Sequence, residues 1–261
     1  MRSDVEHVKI WRFSEEAGTS VDDVVAREFP LTIIFNDREL VTLLCSPADL
    51  KNLAVGFLTS EGLIASQSQI KKVLVDESRG VVRVETSGRD IKAEEVFKRF
   101  ISSGCGRGAS FYSAADVTES SRVQSSLAVT RAEITLLFRE FQRKSDLYHS
   151  TGGVHSAALC DSEGIIVFSE DVGRHNAIDK IFGKCFLEGI PTDDRIVLTS
   201  GRISSEILLK VARRNIPLLA SKSAPTDLGV RLARDLGVTL LGFVRGNRMN
   251  VYANEGRIHG D

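Results

Sequence analysis

Residues 165–187 read IIVFSEDVGRHNAIDKIFGKCFL, which is an apolar run, a polar loop and a helical pattern in direct succession. The same order begins again at the predicted strands 195–199 and 217–220, each of which leads through a polar loop into a helical pattern. Strands that alternate with helices of about ten residues are typical of a parallel sheet with right-handed crossovers. The three stretches together therefore predict an α/β fold.

The segments around these stretches extend the predicted sheet. The short segment Asp161–Gly164 joins two apolar runs, which predicts an antiparallel hairpin and hence a mixed sheet. Upstream, Thr130 and Glu133 form a capping-box pattern that predicts the start of a helix with one apolar face. The predicted strands are 155–160, 165–169, 195–199, 217–220, 239–243 and 249–252, and the predicted later helices are 176–187, 204–214 and 226–235.

Residues 1–128 show a different pattern and predict a smaller N-terminal α+β subdomain, followed by the α/β domain at 129–261. Residues 31–44 alternate around Asn36-Asp37 like a β-hairpin. A helix start is predicted at Ser46–Asp49, with proline at the first helical position. Strands near 73–75 and 81–85, a helix near 94–100 and a Ser- and Ala-rich connector at 109–128 complete this part.

The composition of the 261-residue chain is that of a globular protein without a strong charge bias. Lys+Arg number 34 and Asp+Glu number 35, so there is no net field that would attract nucleic acid or an acidic membrane. The segment Met1–Trp11 is too charged for a secretory signal, and no apolar run approaches the roughly 20 residues of a spanning helix. We therefore expect a cytoplasmic protein with neither a nucleic-acid nor a membrane partner.

The four cysteines fall into two classes. Cys45, Cys160 and Cys185 lie among apolar residues and are predicted to be core positions. Cys105 instead lies in SGCGRG, residues 103–108, where the glycines free the backbone and Arg107 favours the nucleophilic thiolate. Cys105 is therefore the candidate reactive residue, the alternative being a flexible turn with an incidental cysteine. No His/Cys pair has zinc-ligand spacing, so no intrinsic metal is expected.

Polar loops follow three of the predicted strands, at the sheet edge where α/β proteins bind ligands and where helix N-termini favour anions. Their basic side chains suggest a phosphate-bearing ligand, although each loop taken alone also fits an ordinary helix cap. The candidates for cofactor binding in these loops are Arg174, His175, Ser200, Gly201, Arg202, Lys222, Ser223 and Thr226.

Two further segments supply candidates. His155 begins a predicted strand and is either a ligand-facing group or a satisfied core histidine. His155 or His175 could also act as a base for the thiol of Cys105. A basic turn between two short strands could clamp a phosphate or stack on a ring, or could be a solvated hairpin tip. Its residues are Phe243, Val244, Arg245, Gly246, Asn247 and Arg248.

Seven segments, in order along the chain, resemble those of the formate dehydrogenase accessory sulfurtransferases, the FdhD family. They read LAVGFLTSEG (53–62), SGCG (103–106), TGGVHSA (151–157), EDVGRHNAIDK (170–180), TSGRISSE (199–206), SAPT (223–226) and FVRGNRMNVY (243–252). The matching region spans roughly residues 24–255, which is nearly the whole chain.

The resemblance implies that the protein takes sulfur from a cysteine desulfurase as a persulfide on Cys105. It would pass this sulfur to the molybdenum or tungsten of the molybdenum cofactor, Mo-bis(molybdopterin guanine dinucleotide), before the formate dehydrogenase catalytic subunit receives it. The family's cofactor-binding segment falls on Phe243–Arg248. The resemblance also implies a homodimer and a cytidine deaminase-like three-layer α/β/α sandwich without the zinc residues of the deaminases.

The chain departs from the family pattern at Gly108, where many members carry a second cysteine. A single persulfide carrier tolerates this loss, whereas a mechanism that uses a local dithiol does not. Two other classes of function remain open from the sequence. One is a non-catalytic chaperone that binds the cofactor, and the other is a cysteine hydrolase that uses Cys105 with His155 or His175.

Overall fold

A computed structural model describes residues 3–15, 17–87 and 122–260. In its N-terminal part the strands are β1 (Val5–Phe13), β2 (Gly18–Ala26), β3 (Phe29–Phe35), β4 (Arg38–Cys45), β5 (Ile70–Asp76) and β6 (Val81–Thr86), with helix α1 (Leu50–Ser60). The later strands are β7 (Val129–Thr130), β8 (His155–Cys160), β9 (Ile165–Asp171), β10 (Ile196–Thr199), β11 (Leu218–Ser221), β12 (Thr239–Arg245), β13 (Arg248–Ala253) and β14 (Ile258–His259). The later helices are α2 (Arg131–Arg143), α3 (Asp146–Thr151), α4 (Arg174–Glu188), α5 (Ser205–Ala212) and α6 (Asp227–Leu236).

The centre of the molecule is a six-stranded sheet in the order β13-β12-β11-β10-β8-β9. Strands β10, β11 and β12 are parallel, whereas β8, β9 and β13 pair antiparallel with their neighbours. Alternate side chains face opposite layers, so Leu159 packs towards α4–α6 and Ala158 packs towards α2. This three-layer arrangement confirms the predicted α/β fold with a mixed sheet.

The N-terminal unit consists of β3–β6 and α1, with the sheet order β4-β3-β6-β5 and α1 packed on one face. Helix α1 also crosses α4 at two glycines. A Cβ atom at Gly56 would lie 1.8 Å from the carbonyl oxygen of Asp179, and one at Gly183 would lie 1.8 Å from that of Asn52. The two helices therefore meet backbone to backbone, which only glycine permits.

The predicted helix start in the N-terminal unit is wrong. Helix α1 begins at Leu50, after Asp49 in a left-handed conformation (φ 57°) that gives no side-chain cap. Ser46 does not cap the helix: its amide donates to Asp171 at the end of β9, and its hydroxyl accepts from the amide of Val172. The capping box at α2 is confirmed: the Glu133 amide donates to Thr130 Oγ1 at 3.1 Å, and the Thr130 amide donates to Glu133 Oε2 at 2.6 Å.

A buried polar cluster joins the N-terminal unit to α4. The side chains of Asp171 and Lys180 are both fully buried and form an ion pair at 2.7 Å. The Ser46 amide donates to Asp171 Oδ2 at 3.0 Å, and Lys180 Nζ donates to the Ser46 carbonyl at 3.1 Å. Asn176 Nδ2 bonds both Asp171 Oδ1 and the carbonyl of Leu44, each at 2.8 Å. The bonds to Ser46 and Leu44 hold the end of β4 against the start of α4.

A second buried ion pair lies further along α4. Lys210 Nζ of α5 donates to Asp179 Oδ2 at 2.6 Å, and the Ser60 hydroxyl donates to Asp179 Oδ1 at 2.7 Å. Four buried polar residues of the 170–180 segment thus hold the N-terminal unit against α4: Asp171, Asn176 and Lys180 bond at the end of β4, and Asp179 bonds to α1. They are structural residues, and the candidates Arg174 and His175 lie between them.

Strands β1 and β2 form a separate two-stranded hairpin, here called the N-terminal hairpin. Trp11 and Phe13 near its tip are 69% and 80% exposed, whereas strand β2 contacts α3.

The predicted helix near 94–100 and most of the predicted connector lie outside the described residues. Residues 122–128 run along the α/β domain, with Val123 in its core. The boundary after residue 128 stays a prediction. None of the helices that the structure describes is long and apolar enough to cross a membrane.

Candidate functional site

A cavity of about 1000 Å³ opens at one edge of the six-stranded sheet. Strands β10, β11 and β12 end there because they are parallel, and β8 begins there because it runs antiparallel to β10. The edge therefore collects the residues that follow or begin these strands. Predicted site residues on the cavity are His155, Ser200, Lys222, Ser223, Phe243, Arg245 and Gly246.

Two cations give the cavity its charge. Lys222 follows β11 and Arg245 ends β12, and both line the cavity. Burial, and then the charge of Arg245, lower the pKa of Lys222 below its ordinary value. Two positive charges that line one cavity and repel each other favour an anionic ligand that neutralises both.

Phe243 is held in a strained backbone conformation at the cavity. It has φ 53°, which non-glycine residues rarely adopt, and it lies at a bulge where the register of β12 and β13 shifts. Its amide donates to the Ser223 carbonyl at 3.1 Å, and its side chain is 40% exposed. Strained backbone conformations of this kind are common at functional sites. Here the strained residue is an aromatic one that lines the same cavity as Lys222 and Arg245.

His155 is a half-buried group at the start of β8. Its Nδ1 lies 3.4 Å from the Ser200 hydroxyl, which accepts a hydrogen bond from the Ser156 amide at 2.9 Å. Burial lowers the pKa of His155, and the nearby charges of Arg174 and His175 lower it further. We therefore take His155 to be neutral at pH 7, so that it can donate and accept hydrogen bonds without adding charge.

The lowered pKa of His155 predicts an acid-sensitive stability. The unfolded chain binds a proton at an ordinary histidine pKa, whereas the folded chain binds it only at a lower pH. Below the ordinary value the unfolded chain therefore holds more protons, and the free energy of unfolding decreases as the pH is lowered. We expect the melting temperature of the wild type to drop more than that of His155→Asn between about pH 7.5 and about pH 5.5, either side of the ordinary value. Thermal unfolding by circular dichroism measures this, and parallel pH curves for the two proteins would contradict it.

Several predicted site residues lie beside the cavity rather than on it. Arg174 and Gly201 are neighbours, since a Cβ at Gly201 would lie 2.8 Å from Arg174 Cβ. The Nε atom of Arg174 is buried without a hydrogen-bond partner in the described structure. His175 Nε2 pairs with Glu206 at 3.2 Å. Arg202 is exposed on the following loop.

The remaining candidates have other surroundings. Thr226 caps α6, because its hydroxyl accepts from the Gly229 amide at 3.2 Å. Val244 is 1% exposed and packs in the core with α2. Asn247, in the turn after β12, and Arg248, the first residue of β13, are exposed and are not among the cavity-lining residues of the described structure. Cys105 lies outside the described residues.

One side of the cavity was not predicted from the sequence. It comes from the end of α2, from α3 and from the loop after α3, with Phe141, Gln142, Ser145, Tyr148, His149 and Gly152. The segment TGGVHSA at 151–157 was the only signal near this side, and only His155 was singled out from it. Nothing in the local pattern shows that α3 folds back over the sheet edge.

The three cysteines that the structure describes are buried, as predicted. Burial raises the pKa of Cys45 to about 12 and that of Cys185 to about 11, and it also raises the pKa of Cys160. Such thiols remain protonated at neutral pH and are poor nucleophiles. These three cysteines are therefore poor candidates for reactive thiol chemistry, and the reactivity of Cys105 stays a prediction.

Comparisons with known proteins place the chain in a family. A family model described as the FdhD/NarQ family matches residues 26–259. The sulfur carrier protein FdhD of Bacillus subtilis is 41% identical over 250 residues, which cover 95% of each chain. That of Listeria monocytogenes serotype 4b is 44% identical over 259 residues, which cover 97% of this chain and 98% of the relative. A crystal structure of a proposed formate dehydrogenase accessory protein from Desulfotalea psychrophila superposes with a TM-score of 0.82 at 28% identity, covering 98% of this chain and 100% of that one. The chain belongs to the FdhD/NarQ family.

Proposed function

We propose that this chain carries sulfur for the maturation of formate dehydrogenase, receiving it as a persulfide on Cys105 and delivering it to a molybdenum cofactor held in the cavity. The observation that carries the proposal is the cavity itself, where Lys222 and Arg245 meet beside the strained Phe243. The names of the relatives, sulfur carrier proteins and a formate dehydrogenase accessory protein, support the sulfur-carrier role.

The fit of the cavity to the proposed cargo rests on its chemistry. A bis-pterin guanine dinucleotide carries phosphates and flat heterocycles, and the metal that receives the sulfur is part of this substrate. Lys222 and Arg245 supply the cationic donors that phosphates require. Phe243 and Tyr148 supply aromatic faces on which a base or a pterin can stack, and neutral His155 supplies a hydrogen-bonding edge.

The covalent step takes place at Cys105. Its thiolate attacks the outer sulfur of a desulfurase persulfide, a new S–S bond forms on Cys105, and the desulfurase cysteine leaves as a thiolate. Release of that sulfur to the metal as sulfide consumes two electrons. Glycine at position 108 supplies no second thiol, so the proposed reductant is a thiol of another molecule. Its thiolate attacks the sulfur atom of Cys105, forms a mixed disulfide with it and displaces the outer sulfur as sulfide. A second such thiol then opens the mixed disulfide, leaves as the disulfide of the reductant and restores the Cys105 thiolate.

Mass spectrometry of the intact protein after incubation with a cysteine desulfurase and cysteine tests the persulfide. We expect the wild type and Cys185→Ala to gain the mass of one sulfur atom, removable by dithiothreitol, and Cys105→Ala to gain none. Cys185 is a matched control because it is buried and its pKa is raised. An adduct that survives in Cys105→Ala would contradict the assignment. No adduct on the wild type, together with intact nucleotide binding, would instead favour a non-catalytic cofactor chaperone.

A further inference from the structure

Helix α3 forms one wall of the cavity, and its first turn is not capped by its own sequence. Tyr148 and His149 of α3 line the cavity, as do the glycines that follow the helix. Ser145 occupies the N-cap position without a side-chain cap, because its hydroxyl donates to the Phe141 carbonyl at 3.1 Å. The free amides at the start of this six-residue helix therefore need an acceptor from elsewhere.

Glu170 of β9 is that acceptor. Its Oε2 accepts from the Leu147 amide at 3.0 Å, and its Oε1 accepts from the Tyr148 amide at 3.1 Å. The two bonds join a strand of the central sheet to the wall that carries Tyr148. A short helix has little stability of its own, so the position of this wall depends on the tertiary contact.

Glu170 is itself held in place from two sides. The buried Ser156 hydroxyl donates to its Oε1 at 3.4 Å, and Lys180 Nζ donates to its backbone carbonyl at 3.3 Å. Burial raises the pKa of Glu170, while the hydrogen bonds from Leu147 and Tyr148 oppose that rise. The carboxylate is thus partly buried, and the hydrogen bonds that it accepts offset part of the cost of that burial.

We propose that Glu170 is a positioning residue for the ligand of the cavity: by accepting the two α3 amides it fixes the wall formed by Tyr148 and His149. The inference rests on the proposed function, since it concerns how the same cavity holds its anionic ligand. Glu170 is not among the lining residues in the described structure, so its effect on the ligand passes through α3.

The test uses GDP as the probe and isothermal titration calorimetry of the full chain as the readout. Glu170→Ala removes both acceptors, whereas Glu170→Gln keeps one carbonyl oxygen at the same reach. We expect GDP affinity to fall about tenfold for the alanine variant, in line with hydrogen bonds to a charged group, and by less for the glutamine variant. Glu163→Gln, on the exposed turn at the far end of β9, removes the same charge as a matched control and is expected to bind like the wild type.

Amide hydrogen exchange at Leu147 and Tyr148 separates positioning from general stability. We expect faster exchange at these two amides in Glu170→Gln, with the partial recovery of GDP affinity described above and a melting temperature close to that of the wild type. A folded Glu170→Ala protein with faster α3 exchange but unchanged GDP affinity would overturn the positioning role while leaving the cavity as the ligand site. Failure of the wild type to bind GDP would overturn the proposed ligand, and the positioning role with it.

Discussion

Replacing Lys180 with methionine is expected to lower the free energy of unfolding by about 3–5 kcal/mol. The ammonium of Lys180 and the carboxylate of Asp171 are both fully buried, 2.7 Å apart. Removing the ammonium leaves a buried carboxylate at Asp171 that, among the described residues, keeps the Ser46 and Gly173 amides and Asn176 as donors. The cost is that of an uncompensated buried charge, which is much larger than the net value of the original pair.

Urea denaturation followed by circular dichroism measures the loss. Lys184→Met is the matched control, because Lys184 lies one turn later on α4, is partly exposed and belongs to none of the ion pairs found among the described residues. We expect this control to change the free energy of unfolding by well under 1 kcal/mol. Equal losses in the two variants would show that the buried pair is not what joins the N-terminal unit to α4.

Replacing both Lys222 and Arg245 with glutamine is expected to weaken GDP binding about 100-fold. Each removal deletes a charged hydrogen-bond donor worth about 1.5–3 kcal/mol, and about 1.4 kcal/mol corresponds to a tenfold change in affinity. Since burial and the charge of Arg245 lower the pKa of Lys222, the double variant should also relieve the repulsion between the two side chains and fold at least as well as the wild type.

The control for this second prediction is the double variant Lys51→Gln with Arg139→Gln. Both side chains are exposed, on α1 and α2, and neither lines the cavity of the described structure. The control removes the same net charge, so it separates local contacts from the overall field. Calorimetry at two salt concentrations completes the experiment, because contacts between charges weaken as salt increases. An equal loss of affinity in both double variants would contradict a phosphate site at Lys222 and Arg245.

The α/β part of the fold was predictable because its strands are buried on both faces. Runs such as 196–198 are apolar throughout and fully buried, and the glycine and polar segments between such runs mark the loops. The N-terminal hairpin gave no such signal. Its strands mix charged and apolar residues on both faces, and among the described elements α3 is the neighbour that it contacts most. No core imposes a pattern on its sequence.

Only part of the candidate site was predictable, namely the part that follows from the rule that α/β sheets bind ligands at the carboxyl ends of their parallel strands. The ends of parallel strands share an edge, which is why Ser200 and Lys222 could be grouped from the sequence. Arg245, in the basic turn, was linked to them only through the family resemblance. The wall from α3 depends on how a six-residue helix docks, which no local pattern encodes. The segment at 170–180 shows the converse limit: its polar residues resemble ligand donors in sequence, yet Asp171 and Lys180 bind each other in the interior.

The exposed tip of the N-terminal hairpin has a practical consequence for spectroscopy. Trp11 is the single tryptophan of the chain and is 69% exposed. Its emission in the native protein should already resemble that of free indole in water, so unfolding of the core will be nearly silent in tryptophan fluorescence. Because the chain has one tryptophan, a blue shift of the tryptophan emission or a loss of its quenching by iodide reports on the surroundings of Trp11. The hairpin tip is a built-in reporter that signals when another molecule covers this end of the protein.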